Sequence, residues 1–358
     1  MKKASNAAPP RRIKWHKIGL FGVSLALFVL ALELMKAGAR GLAPLIQNAL
    51  DVSNPINGLG FGWLSAYLVL SGSPVAAAAL TFLDAGVVDP VSAFAMITGS
   101  RLGASLIVLF IGLLYVLRGH ERLTSLTTGL LALVVTAAVY LPALPLGYLM
   151  VSLGLLKGHN NPRPAGPFVS ALDMALGPPV GLASRLLPDW GVFLVGLGII
   201  VASFNLLDRT LPNLSLRESA FSEITRLLYR PIVTFVLGLA VTFMTMSVSV
   251  SLGLLVPLSV RGYVRRENLV PYIMGCNIST FVDTLIAGLL LRNSDATAVV
   301  LAQMLSVLII SAIIFALFFP LFERSVLALV LWLVGSTGHL SVFLLVIVLI
   351  PVGLLLIR

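Results

Sequence analysis

The chain has 358 residues, of which 58% are hydrophobic and only 11% charged, with 24 Lys and Arg against 14 Asp and Glu. Soluble domains carry roughly 45–50% apolar and about 25% charged residues, so this charge is too sparse to clothe a soluble globule of this length. Apolar stretches of about 18 or more residues recur from Ile18 to Ile357, and mean hydropathy is +1.04; the pattern predicts an all-α polytopic membrane protein.

The basic balance is concentrated at one end. Lys2, Lys3, Arg11, Arg12, Lys14 and Lys17 lie in the first 17 residues with no acid among them. Residues 1–17 therefore read as a cytoplasmic tail beside anionic lipid headgroups, and nucleic acid is not an expected partner. Cys276 is the single cysteine, and His16, His120, His159 and His339 are scattered, so neither a disulfide nor a transition-metal centre is expected. No G-x-x-x-x-G-K phosphate loop occurs, which argues against an ATP-driven pump. No paired carboxylates or activated nucleophile stand out, so an enzyme is not expected. The first apolar run, Ile18 to Met35, is longer than a signal-peptide core and contains Glu33, so it reads as a retained membrane helix.

In chain order, the first unit (18–143) reads as a helix at 18–36, a loop at 37–57, interrupted segments at 58–83 and 90–117, and a closing helix at 124–143. A connector covers 144–189. The second unit (190–319) repeats the plan at 190–207, 208–230, 231–260, 269–291 and 297–319. Residues 320–358 form an apolar end, with one or two helices around Gly335–His339. At an ungapped offset of 176, residues 65–114 align with 241–290 with ten identities, among them Ser71/Ser247, Ser73/Ser249, Gly86/Gly262, Gly99/Gly275 and Gly112/Gly288.

The turns at Gly86 and Gly262 differ in charge. Asp84 and Asp89 flank the first, whereas Arg261, Arg265 and Arg266 flank the second, with Glu267 as its only acid. Positive-inside logic places the second turn in the cytoplasm and allows the first outside. Two homologous units would then lie upside down relative to each other, as in many secondary transporters. For the charge pattern to hold, 58–83 and 231–260 must be re-entrant hairpins, with tips near Ser71–Pro74 and Ser247–Ser251. The expected fold is thus two inverted-topology repeats, each with a re-entrant hairpin and a broken transmembrane helix.

Non-helical backbone within a membrane must be buried in protein or line a watery cavity. At the first tip, Ser71, Gly72 and Ser73 precede Pro74; Ser73 is the expected N-cap and Pro74 the first helical residue. The second tip, Thr245 to Ser251, alternates hydroxyl and apolar residues like an extended segment. The segments Gly99–Ser105 and Gly275–Thr280 combine Gly with short polar residues that weaken a helix and free oxygens for a small cation.

These features resemble the sodium–phosphate cotransporter (solute carrier 34-like) family, whose repeats each carry a Q-S-S-S tip followed by G-x-N-I-G-T-T. Gly86 lies thirteen positions after Ser73, and Gly99 thirteen after Gly86; the same steps run from Ser249 to Gly262 to Gly275. The resemblance covers about residues 18–320. It implies sodium-coupled symport of phosphate, with both ions held between the hairpin tips and the broken helices.

Carried over by position, Ser71, Gly72, Ser73, Arg101, Ser247 and Ser249 are the substrate-binding candidates. Ser105, Asn277, Ser279, Thr280 and Asp283 are the cation-binding candidates. Leu70 and Met246 stand where the family has Gln, and Arg101 where it has Asn. Arg101 reads either as an anion ligand or as half of a structural ion pair with Asp283. Asp283 would bind sodium, carry a proton or neutralise Arg101. Gln303 either lines the pathway or joins two helices; Glu33, Asp173 and Arg185 read as interfacial. The expected setting is the inner membrane with a cytoplasmic N-terminus, and a homodimer is compatible with it. The rival readings are a proton-coupled carrier of another anion and a non-transporting regulatory protein on the same scaffold.

Overall fold

The structure is a computed structural model that describes residues 15–52, 54–117, 122–156, 167–210, 230–253 and 266–357. The basic tail up to residue 14, the arginines at 261 and 265, Gly262 and the end of the expected second hairpin segment (254–260) lie outside the described residues.

Every regular element among the described residues is helical. A long first helix, α1 (Trp15–Ala39), passes into a 3-10 turn and a π-turn that together reach Ala49. Asn54 then caps α2 (Pro55–Val69), its side chain accepting from the Ile56 N–H at 3.0 Å, with Pro55 at the first helical position. There follow α3 (Gly72–Asp84), α4 (Pro90–Leu117), α5 (Arg122–Ser152), α6 (Pro167–Leu186) and α7 (Asp189–Thr210). The remainder comprises α8 (Pro231–Thr245), α9 (Val248–Gly253), α10 (Arg266–Ser279), α11 (Val282–Leu290), α12 (Ser294–Ile313), α13 (Phe319–Gly335) and α14 (Thr337–Leu356).

Seven helical stretches among the described residues are long and apolar enough to cross a membrane. These are Gly19–Leu42, Pro90–Leu114, Leu126–Ser152, Asp189–Leu207, Arg266–Leu290, Ser294–Gly335 and Thr337–Leu356. The chain is therefore a polytopic α-helical membrane protein. By contrast, α2 and α8 have 15 residues each. At 1.5 Å per residue that is about 22 Å, short of the roughly 30 Å hydrocarbon core.

The offset of 176 seen in the sequence recurs in the geometry. Helices α2 and α8 start at Pro55 and Pro231. Both short helices end in a non-glycine residue with left-handed backbone, Leu70 (φ 52°, ψ 33°) and Met246 (φ 50°, ψ 18°). Helix α2 packs on α4 and α8 on α10, while α1 packs on α7 and α5 on α12. Both short-helix crossings run over glycines. A Cβ on Gly62 would lie 2.1 Å from the Met96 carbonyl oxygen, and one on Gly238 would lie 2.1 Å from that of Tyr272. Gly99 and Gly275 repeat this against the carbonyls of Leu59 and Phe235, again at 2.1 Å. With so little room, only hydrogen fits.

Four expectations need correction. First, the break expected at Gly99–Ser105 is not there: α4 runs unbroken from Pro90 to Leu117. Its glycines serve close packing instead, Gly99 under Leu59 and Gly103 under Trp63, whose carbonyl would be 2.5 Å from an added Cβ. In the second half the helix does break, at Thr280 and Phe281 between α10 and α11.

Second, the first tip turns two residues early. Ser71 (φ −161°, ψ 138°) takes the N-cap position and α3 begins at Gly72, leaving Ser73 and Pro74 inside the first turn. The left-handed Leu70 reverses the chain at once, so no longer loop is needed. Third, the second tip is not extended through Ser251: only Met246 and Ser247 are non-helical before α9 starts at Val248. Fourth, the closing helix runs well past residue 143, because α5 accommodates Pro142 and Pro145 and continues to Ser152. The apolar C-terminal segment forms two helices, α13 and α14, which meet at Ser336.

One face ties the ends of three helices together. Lys36, in the last turn of α1, lies 2.8 Å from Asp84 at the end of α3, and Asn293, the N-cap of α12, donates to Asp84 at 3.0 Å. The acid that marks the Gly86 turn in sequence thus joins α1, α3 and α12.

Candidate functional site: a buried ion pair between the two halves

Arg101 sits mid-way along α4 with its side chain buried among residues from both halves. One terminal nitrogen, Nη1, donates to Ser73 Oγ at 3.1 Å, in the first turn of α3. The other, Nη2, donates to Asp283 Oδ1 at 3.0 Å and also to Thr284 Oγ1. The guanidinium carbon lies 5.1 Å from the centre of the Phe281 ring, within cation–π range. Arg101 and Asp283 are 5% and 3% exposed, so the pair is buried.

The chain break supplies the acid. Phe281 is the N-cap of α11, which places Asp283 in the first turn, where a carboxylate meets the positive end of the helix dipole. Asp283 Oδ1 also accepts from Thr284 Oγ1 at 2.9 Å, so Thr284 both donates to the acid and accepts from the arginine. An arginine within a membrane span demands such partners. The pair stays incompletely bonded: Arg101 Nε and Asp283 Oδ2 are buried without a hydrogen-bond partner.

Gly72 seats the tip. A Cβ there would lie 2.8 Å from the Ser100 carbonyl oxygen and 2.9 Å from the Ala104 methyl, so the turn lies directly on α4 beside Arg101. The Ser71 side chain makes no capping bond, and Ser71 is half-buried. Of the substrate candidates, the structure joins Ser73 and Arg101 through a hydrogen bond and Gly72 through packing. On the second tip, the Ser247 N–H donates to Thr245 Oγ1 at 3.4 Å, and the Ser247 carbonyl accepts from that hydroxyl at 3.1 Å. Ser249 falls on α9, and its side chain is outside the described residues.

The cation candidates are dispersed. Ser105 folds back on its own helix, donating to the Leu102 carbonyl at 2.6 Å. Ser279 does the same toward Gly275 at 3.4 Å, and the Thr280 N–H closes the last turn of α10 on Cys276 at 3.0 Å. Asn277 occupies the position equivalent to Arg101 but faces α5. Its Oδ1 accepts from Thr136 at 3.2 Å and its backbone carbonyl from Tyr140 at 2.8 Å, while Nδ2 is buried without a partner. Only Asp283 of this group reaches the ion pair.

Sequence reasoning missed Thr284, Phe281, Thr136 and Tyr140. The last two were marked by their spacing, since polar residues four apart on an apolar helix share a face. A further polar cluster lies behind the second tip. Thr242 donates to Ser251 at 2.8 Å, and the Ser251 hydroxyl sits 2.9 Å from the Tyr272 hydroxyl and 3.4 Å from Cys276 Sγ. Gln303 joins two helices: its Oε1 accepts from Thr98 on α4 at 2.7 Å.

A membrane protein of two helical halves joined by a buried arginine–carboxylate pair is the class that this fold and site define. Compared with known proteins, the chain matches no family model, no curated protein and no solved structure.

Proposed function

We propose that the protein is a secondary active transporter of a small anion, inorganic phosphate first, coupled to sodium and built from two inverted-topology repeats. The observation that carries this reading is the shared geometry at an offset of 176, with a left-handed residue after each short helix and glycine crossings at matching positions. Helices too short to span, each followed by a sharp reversal, support re-entrant hairpins. The opposite charge of the Gly86 and Gly262 turns supports inversion. The spacing from tip serine to glycine to glycine supports the resemblance to sodium–phosphate cotransporters.

On this reading the anion is held at the first tip by Ser71, Gly72, Ser73 and the N-terminal amides of α3, with Arg101 below. The Arg101 guanidinium stands where the family has an asparagine. It meets Asp283 as a bound cation would, so the first half needs no ion of its own and coupling falls to the second half. The test is radiolabelled phosphate uptake into liposomes holding the purified protein, under an inward sodium gradient against an equal potassium gradient. Sodium-dependent uptake is expected. Its absence from folded, inserted protein overturns the reading.

The unpartnered Oδ2 of Asp283 favours a second coupling mode, in which this carboxyl takes a proton. Uptake driven by an inward proton gradient without sodium, and lost in Asp283→Asn, would replace sodium by the proton.

A further inference from the structure

The geometry points to a lipid site on the first half of the molecule: the groove between α2, α4, α5 and α14 holds one acyl chain of a membrane phospholipid, with the end of that chain against the first tip. The groove has a volume of about 470 Å³. One face of α4 from Gly103 to Val116 forms its floor, and Leu126 of α5 and Leu340 and Leu344 of α14 line its sides. Tyr67 and the left-handed Leu70 line the end near Gly103, where α4 crosses Trp63 and Ala66 of α2.

Helix α4 sets the depth of the groove in the membrane. The tip rests on α4 at Ser100 and Ala104, half-way between Pro90 and Leu117, and so near the bilayer midplane. From Gly103 to Val116 α4 rises about 20 Å, and the helix ends at Leu117. Half of a hydrocarbon core of roughly 30 Å is about 15 Å. The groove therefore runs from the midplane to one surface, the reach of one leaflet.

Width and chemistry then select the occupant. A volume of about 470 Å³ over about 20 Å gives a mean cross-section of about 24 Å². A helix about 10 Å across needs about 79 Å², so a helix of a second copy or of another protein does not enter, whereas a single hydrocarbon chain does. Tyr67 is the one polar side chain in the wall among the described residues. Its hydroxyl already donates to the Ile347 carbonyl at 3.1 Å and accepts from Trp63 Nε1 at 2.7 Å. The wall asks for no hydrogen bond, and a ligand with a buried polar group would lose its own to water without replacement. Phe110 and Leu113 are 48% and 43% exposed, which leaves the groove open sideways to the lipid that supplies the chain.

The experiment uses the full chain in liposomes of dioleoylphosphatidylcholine doped with one of two photoreactive phosphatidylcholines. One carries a diazirine at the end of an acyl chain, the other beside the ester; labelled residues are read by peptide mass spectrometry. The end-labelled probe should mark Leu70 and Gly103–Ile107, and the ester-side probe should mark Leu113–Val116 and Leu126. Leu344→Trp and Leu113→Trp fill the groove; displacing two CH₂ groups of the chain should lower labelling roughly tenfold. Leu113 is exposed, so that variant folds even if Leu344→Trp does not, and Leu321→Trp, on the exposed face of α13 outside the groove, should change nothing. Even labelling of all lipid-facing helices, the reverse order of the two probes, labelling that survives Leu113→Trp, or crosslinks from the groove to a second copy of the chain would each overturn the proposal. None of these readouts depends on transport.

Discussion

Arg101 and Asp283 are 182 residues apart in the chain and 3.0 Å apart in space, and each belongs to a different half of the molecule. Removing one partner strands a buried charge, which costs about 3–5 kcal/mol, whereas removing both leaves no charge behind. Arg101→Met and Asp283→Leu should each lower the melting temperature sharply, and the double variant should recover most of the loss. A double-mutant cycle in detergent reads the coupling. Additive losses would mean that the pair does not act as a unit.

The glycine crossings give a second expectation. Gly238→Ala puts a methyl group 2.1 Å from the Tyr272 carbonyl oxygen, and backbone cannot step aside as a flexible side chain can. The cost should be about 1–3 kcal/mol or more. Gly198→Ala has nothing within 4 Å of the new methyl and should cost nothing. Melting curves of the two variants make the comparison.

Leu70 and Met246 hold a conformation that L-residues avoid, at about 1–2 kcal/mol each. Leu70 is 56% exposed, so replacing it loses little packing. Leu70→Gly should therefore raise stability by about 1 kcal/mol, and Leu70→Val should lower it, because a β-branched residue fits the left-handed region worst. Chemical denaturation in mixed micelles would rank the three.

Thr98 and Gln303 are expected to respond unequally. Thr98→Val takes the donor from Gln303 Oε1, adding to the amide nitrogen that already has no partner, and should cost about 1–3 kcal/mol. Gln303→Met removes that unpaired nitrogen, and Thr98 keeps its bond to the Phe94 carbonyl at 3.0 Å. That variant should be close to neutral. Equal losses in thermal unfolding would show that the amide bonds elsewhere.

Much of the architecture was legible because lipid imposes a harsh filter on composition. Long apolar runs with few charges gave the spans, and paired serines and glycines gave the offset of 176. Local backbone detail was less legible. Gly99 and Gly103 looked like helix breakers in α4, but a neighbouring helix at van der Waals distance demands the same residue for another reason. The left-handed turns were hidden because Leu70 and Met246 are residue types that almost never mark them.

The site was half visible. Arg101 and Asp283 stood out as charges in apolar sequence, and their pairing was one of the expected outcomes. Thr284, which bonds both, is an ordinary residue for a membrane helix, where hydroxyls also serve packing. The dispersal of Ser105, Asn277 and Ser279 was not visible either. Spacing along a helix says which face a hydroxyl is on, but not whether it turns back to its own carbonyls.

The constancy of the offset limits how this chain can change length. Between Pro55 and Gly99, and again between Pro231 and Gly275, the first helical proline, the left-handed residue and the crossing glycines keep the same count. Each residue advances a helix by about 100°. One residue inserted between Gly62 and Leu70 would thus leave the crossing intact but swing the tip serines about a quarter-turn away from Arg101. One inserted between Pro90 and Gly99 would set a side chain where only hydrogen fits. Insertions and deletions within these segments should therefore cost far more than the same changes in the connections outside them.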